Sequence, residues 1–114
     1  MESQSEVTVY SQRDNSFYLI LRKDGKLLTT LEMDSIIKYE IHYNGSYYNS
    51  IDHAAAFVAD TSNSKVLIKP YSLGLAVSED EKVEFLIYDA ADYSHGVVWD
   101  TFKLTVLNDA IPAS

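Results

Sequence analysis

The chain has no cysteine, two prolines, four scattered glycines and one tryptophan, and basic residues are few. Without cysteine there are no disulfide staples, no thiolate nucleophile and no Cys-ligated zinc, while the redox compartment stays open. With glycines only at isolated positions there is no glycine-rich phosphate loop. No apolar run approaches the roughly 20 residues that a bilayer-spanning helix requires, so membrane insertion is not expected. Met1–Glu6 (MESQSE) has neither a basic start nor an apolar core. We therefore expect no secretory signal peptide, and a protein that is cytoplasmic or exported by a non-conventional route. Nine Lys and Arg stand against seventeen Asp and Glu, a formal charge of −8. Such a field repels phosphate backbones and anionic lipid, so nucleic acid is not an expected partner.

What remains is the material of a β domain. A length of 114 residues at 46% hydrophobic suits one domain with a core of its own. We assign it residues 1–114, with 1–6 and 108–114 as loose termini. Nine tyrosines against four phenylalanines favour pleated surfaces and also suit binding faces, because the ring packs while the hydroxyl bonds. The densest β signal is Lys65–Tyr88, where apolar runs at Lys65–Tyr71 and Lys82–Tyr88 flank Gly74 and a charged segment.

The other segments follow in order. Val7–Tyr10 alternates as a short strand, and Phe17–Arg22 (FYLILR) follows a turn cluster. Asp24-Gly25 and Asn44-Gly45 are type I′ hairpin signals, since both central positions of that turn need φ > 0. Lys26–Met33 reads as the returning strand; a helical face of Leu27, Leu28, Leu31 and Ile36 is the alternative. Ile37–Tyr43 alternates cleanly, with Ile37, Tyr39, Ile41 and Tyr43 inward and Lys38, Glu40 and His42 outward. Ala54–Ala59 leans to strand. Val97–Leu107 closes the chain, and its imperfect alternation implies a bulge near Asp100. Seven or eight short strands with regular turns predict an all-β, antiparallel immunoglobulin-like or fibronectin-III-like sandwich.

Catalytic chemistry finds little support. The three histidines, His42, His53 and His95, show no metal-ligand spacing, and solvated histidines are the simpler reading. No Ser elbow and no calcium loop are present, so no catalytic residue, metal or cofactor is assigned. Asn44-Gly45-Ser46 fits a glycosylation sequon, but a hairpin turn explains the same residues. Sugar binding needs an aromatic platform beside hydroxyl partners. Trp99 with Asp100, and Tyr47 and Tyr48 with Asn49, offer that combination, although a lone tryptophan in a sandwich usually serves the core.

Three segments in the same order resemble the fungal immunomodulatory proteins: KYEIHYNGS at Lys38–Ser46, AFV at Ala56–Val58, and YSLGLAVSEDEKVEFLIY at Tyr71–Tyr88. In the last, Tyr71, Gly74 and Val77 match the family at identical spacing. The likeness covers a little over half the chain and is absent from the N-terminal third, where the family has a dimerising helix. It implies a fibronectin-III-like homodimer that binds glycans or glycoproteins on cell surfaces and stimulates immune cells. The competing expectation is a structural or protein-interaction sandwich without sugar binding. An acidic inhibitor or toxin partner is a third, resting on charge alone.

Overall fold

The computed structural model describes residues 6–11, 13, 15–90 and 93–107. The expected loose ends at 1–5 and 108–114 lie outside them. Among the described residues, ten strands and one short α-helix form, in chain order, β1 (Glu6–Tyr10), β2 (Phe17–Ile20), β3 (Arg22–Lys23), β4 (Lys26–Leu27), α1 (Thr30–Asp34), β5 (Ile36–Tyr43), β6 (Ser46–Asn49), β7 (Phe57–Asp60), β8 (Lys65–Ile68), β9 (Ser78–Asp89) and β10 (Val97–Leu107). Since β3 and β4 are two-residue hairpin arms, eight strands remain to build the main sheets.

Those eight divide into two sheets. One has five strands in the order β1-β10-β9-β5-β6, the other three in the order β2-β8-β7. All pairings are antiparallel except β1 with β10, which run parallel. The arrangement is an all-β sandwich with immunoglobulin-like strand order: β10, β9, β5 and β6 take the G, F, C and C′ places, and β2, β8 and β7 those of B, E and D. The two runs of Lys65–Tyr88 end up in opposite sheets, so this stretch carries the chain across the sandwich. Pro70 stops β8 by opening a 3₁₀ turn over Pro70–Leu73, and Gly74 (φ +65°) releases the chain toward β9.

Alternation explains the core. Leu19, Leu21, Val66 and Ile68 come from the smaller sheet and its continuation. Ile41, Tyr43, Val83, Phe85, Leu104 and Val106 face them from the larger one, each at most 2% exposed. Phe17 meets Phe102 edge-on across the gap at 5.6 Å, and Phe85 stacks on Tyr39 at 6.0 Å. With no cysteine there is no disulfide between the layers, and this packing holds them together.

Both expected hairpins form, with φ of +54° and +79° at Asp24-Gly25 and +51° and +80° at Asn44-Gly45. The bulge expected near Asp100 is a register shift between Val98 and Asp100. Three expectations are corrected. Lys26–Met33 is not one strand: after Leu27 the chain turns into α1. The cause is a capping box, in which the Thr29 hydroxyl accepts from the Glu32 N–H (3.1 Å) and the Glu32 carboxylate accepts from the Thr29 N–H (2.8 Å). The helix buries Met33 and leaves Leu31 80% exposed, so the apolar face read from the sequence is not the one that packs. Ala54–Ala59 is half strand, because Ala54–Ala56 closes a 3₁₀ turn before β7 begins. Ile37 is exposed rather than inward, because a register shift between Ile36 and Lys38 interrupts the alternation.

Candidate functional site

A sandwich with one face of each sheet in the core leaves the other face open, and the outer face of the larger sheet carries the clearest side-chain constellation. Since Val83, Phe85 and Ile87 point inward, Glu84, Leu86 and Tyr88 on the same strand point out. Register then sets out three rows across the sheet. Thr101, Glu84, His42 and Tyr47 form one row, Val98, Leu86, Glu40 and Asn49 the next, and Tyr88 and Lys38 the third.

These side chains interlock. The His42 ring stacks on Tyr47 at 3.9 Å with the planes 12° apart. Its Nδ1 lies 3.7 Å from Glu84 Oε1 and its Nε2 lies 3.4 Å from Glu40 Oε1. The Nε2 contact lacks hydrogen-bond geometry. The Tyr88 hydroxyl donates to Glu40, and Lys38 Nζ sits 4.1 Å over the Tyr88 ring. Glu40 is therefore only 7% exposed although it faces away from the core, and Leu86 is covered on the same side. The hydrogen bond to Glu40, aided by burial and by that carboxylate's charge, pushes the Tyr88 phenol up to about 12.

Tyr47 is the exposed edge of this cluster. One ring face lies on His42, yet the residue remains 68% exposed, so the other face is open. Beside it runs a shallow groove of about 420 Å³ lined by His42, Asn44, Gly45, Tyr47, Glu81, Lys82 and Glu84.

The residues proposed from sequence for glycan contact fall in two places. Trp99 and Asp100 lie on β10, Tyr47, Tyr48 and Asn49 on β6, with two strands between them, or about 14 Å at ordinary strand spacing. Trp99 is part-buried against the core and meets Tyr93 edge-on at 6.3 Å, at the mouth of a cavity of about 110 Å³. Asp100 points inward at 6% exposure, and its Oδ1 accepts from the Thr101 N–H (2.8 Å). Tyr48 packs against the core and touches His53 edge-on. Asn49 Oδ1 accepts from the N–H groups of Ile51 and Asp52, both at 2.9 Å, so its side chain shapes the turn after β6. Tyr47 alone presents an open ring. Glu40, Glu84 and Tyr88 were not singled out from sequence. The signal for them was present in the outward half of the Ile37–Tyr43 alternation and in its partner strand.

Among the described residues no group of three or more His, Cys, Asp or Glu has the geometry to hold a metal ion. No helix among them is long and apolar enough to cross a membrane. No family model matches the chain, and no curated protein matches it.

Proposed function

We propose that this protein is a non-enzymatic recognition module that binds a partner protein with the open face of its five-stranded sheet. One observation carries the reading: His42, Tyr47, Glu40, Glu84 and Tyr88 are mutually ordered on the outer face of the sheet, away from the core. Side chains already held in place lose less conformational entropy on binding, and exposed aromatic rings backed by charge are the usual anchors of protein interfaces. The test is co-purification of a partner from cells that make the protein. Wild type and Tyr18→Ala, altered on the other sheet, retain the partner, while Tyr47→Ala and Glu84→Arg lose it. Equal recovery by all four refutes the reading.

A second reading, glycan binding, is favoured by the same open Tyr47 ring beside the Asn44 amide and by the resemblance to fungal immunomodulatory proteins, which adds a homodimer at a cell surface. Array binding competed by free sugar and abolished by Tyr47→Ala selects it. Silence of a folded sample across the array rejects it.

A further inference from the structure

At the other edge of the larger sheet, where β1 and β10 end beside the 3₁₀ turn over Pro70–Leu73, lies a cavity of about 190 Å³. Val9 and Val106, paired in register and almost fully buried, form its inner side together with Pro70. Leu75 adds apolar wall, and the rings of Tyr10 and Tyr71, 47% and 56% exposed, flank it. We propose that this cavity binds a small, neutral, planar molecule of the phenol or indole type. Size sets the first limit. An apolar cavity of about 150 Å³ takes benzene, so one of about 190 Å³ takes a single ring with a short substituent. Charge sets the second. Among the described residues no Lys, Arg, Asp, Glu or His lines the cavity, although the chain carries nine basic and seventeen acidic residues. An ion entering it would lose hydration and meet no countercharge. The walls set the third, because a ring packed against Tyr10 and Tyr71 gains more than its buried area alone supplies. Among the described residues neither tyrosine side chain has a hydrogen bond or ring contact that competes for it. Ser11 and the two phenols each donate and accept, so one hydroxyl or ring N–H of the guest finds a partner. The site is built before any guest arrives. The Ser11 N–H donates to the Leu107 carbonyl (2.9 Å), the Gly74 N–H to the Tyr71 carbonyl (3.3 Å) and the Tyr10 N–H to Asn15. None of the cluster around Tyr47 lines it, so the inference stands apart from the partner-binding face.

The probe is 4-methylphenol, titrated into protein labelled with ¹⁵N and with ¹³C in its methyl groups. Its anionic twin of similar shape is 4-methylbenzoate. The phenol moves the methyl resonances of Val9, Leu75 and Val106 and the amides of Tyr10 and Tyr71 along one saturable curve, and the benzoate leaves them in place. Tyr10→Ala and Tyr71→Ala each weaken the affinity roughly two- to tenfold, the range of one aromatic pair. Tyr47→Ala on the far edge of the sheet binds as wild type does. Both cavity tyrosines are about half exposed, and dispersed spectra establish that each variant is folded. Shifts that never saturate, or that survive unchanged in the double variant Tyr10→Ala/Tyr71→Ala, refute the site. An equal response to 4-methylbenzoate refutes the neutral guest.

Discussion

Gly96 sits just before β10 with φ +85°, packed against the ring of Tyr88. A Cβ at that position would lie 2.6 Å from Tyr88 Cζ and 2.7 Å from Cε2, far inside van der Waals contact. The ring has little room to retreat, because Lys38 covers one face and its hydroxyl is bonded to Glu40. Gly96→Ala must therefore hold alanine in the left-handed region and displace Tyr88 from Glu40. The first effect costs about 1–2 kcal/mol and loss of a hydrogen bond to a charged acceptor about 1.5–3, so we expect a combined loss of roughly 2.5–5 kcal/mol. With a urea dependence of about 2 kcal/mol per molar, the unfolding midpoint falls by roughly 1–2.5 M. The local signature is the phenol of Tyr88. Its folded pKa is raised, so its contribution to stability is fully present below the unfolded value of 10.0 and is lost as pH rises through about 12. In the variant Tyr88 titrates back toward 10.0, followed by site-resolved NMR of the tyrosine rings. A variant whose stability stays within about 0.5 kcal/mol of wild type and whose Tyr88 still titrates near 12 would refute the reasoning.

Three further outcomes are expected. Thr29→Ala removes one half of the capping box of α1 and lowers stability by about 1 kcal/mol in chemical denaturation. The Thr29 N–H bond holds the Glu32 carboxyl below its usual 4.5, so the cap's contribution is present above that value and fades as pH falls through the lowered one. An acid titration of α1 amide shifts reads this, and a transition at or above the ordinary carboxylate range contradicts it. Phe85→Ala empties the middle of the core, where the side chain is fully buried and stacks on Tyr39, and costs about 3–5 kcal/mol in urea unfolding. Tyr43→Phe breaks the bond from the Tyr43 hydroxyl to the Ala76 carbonyl (2.6 Å), which ties β5 to the approach of β9, and costs about 1 kcal/mol by the same assay.

The parts of the fold legible in the sequence were those set by local backbone chemistry. Asp24-Gly25 and Asn44-Gly45 demand positive φ wherever they occur, and the period of two in Val7–Tyr10 and Tyr39–Tyr43 is a direct record of one buried face. The bulge at Trp99 showed as a break in that period. What local chemistry does not carry is which strand lies beside which. Nothing within Lys65–Ile68 or Ser78–Asp89 says that they belong to opposite sheets, and the charged Glu79–Lys82 gave no hint of strand because pairing with β10, not side-chain burial, holds it there. The helix over Thr30–Asp34 was hidden by β-branched Thr29 and Thr30, and the Thr29-x-x-Glu32 spacing that caps it was not read from the sequence. The candidate site divides the same way. Aromatic residues beside acids could be picked out, but the exposure that makes Tyr47 available and Trp99 and Asp100 unavailable comes from the sandwich. The Glu40–Tyr88 and His42–Glu84 contacts join residues more than forty positions apart.

The central claim is that the open face of the five-stranded sheet is where a partner sits. Site-directed photocrosslinking tests it most directly, with a benzophenone amino acid placed at Tyr47 on that face and, separately, at Tyr18 on the other sheet. The account predicts one discrete cross-linked species from position 47 in cells that make the protein, with position 18 giving none. It further predicts that excess unlabelled wild type abolishes the product at 47. The same species from both positions, or from position 18 alone, would contradict it.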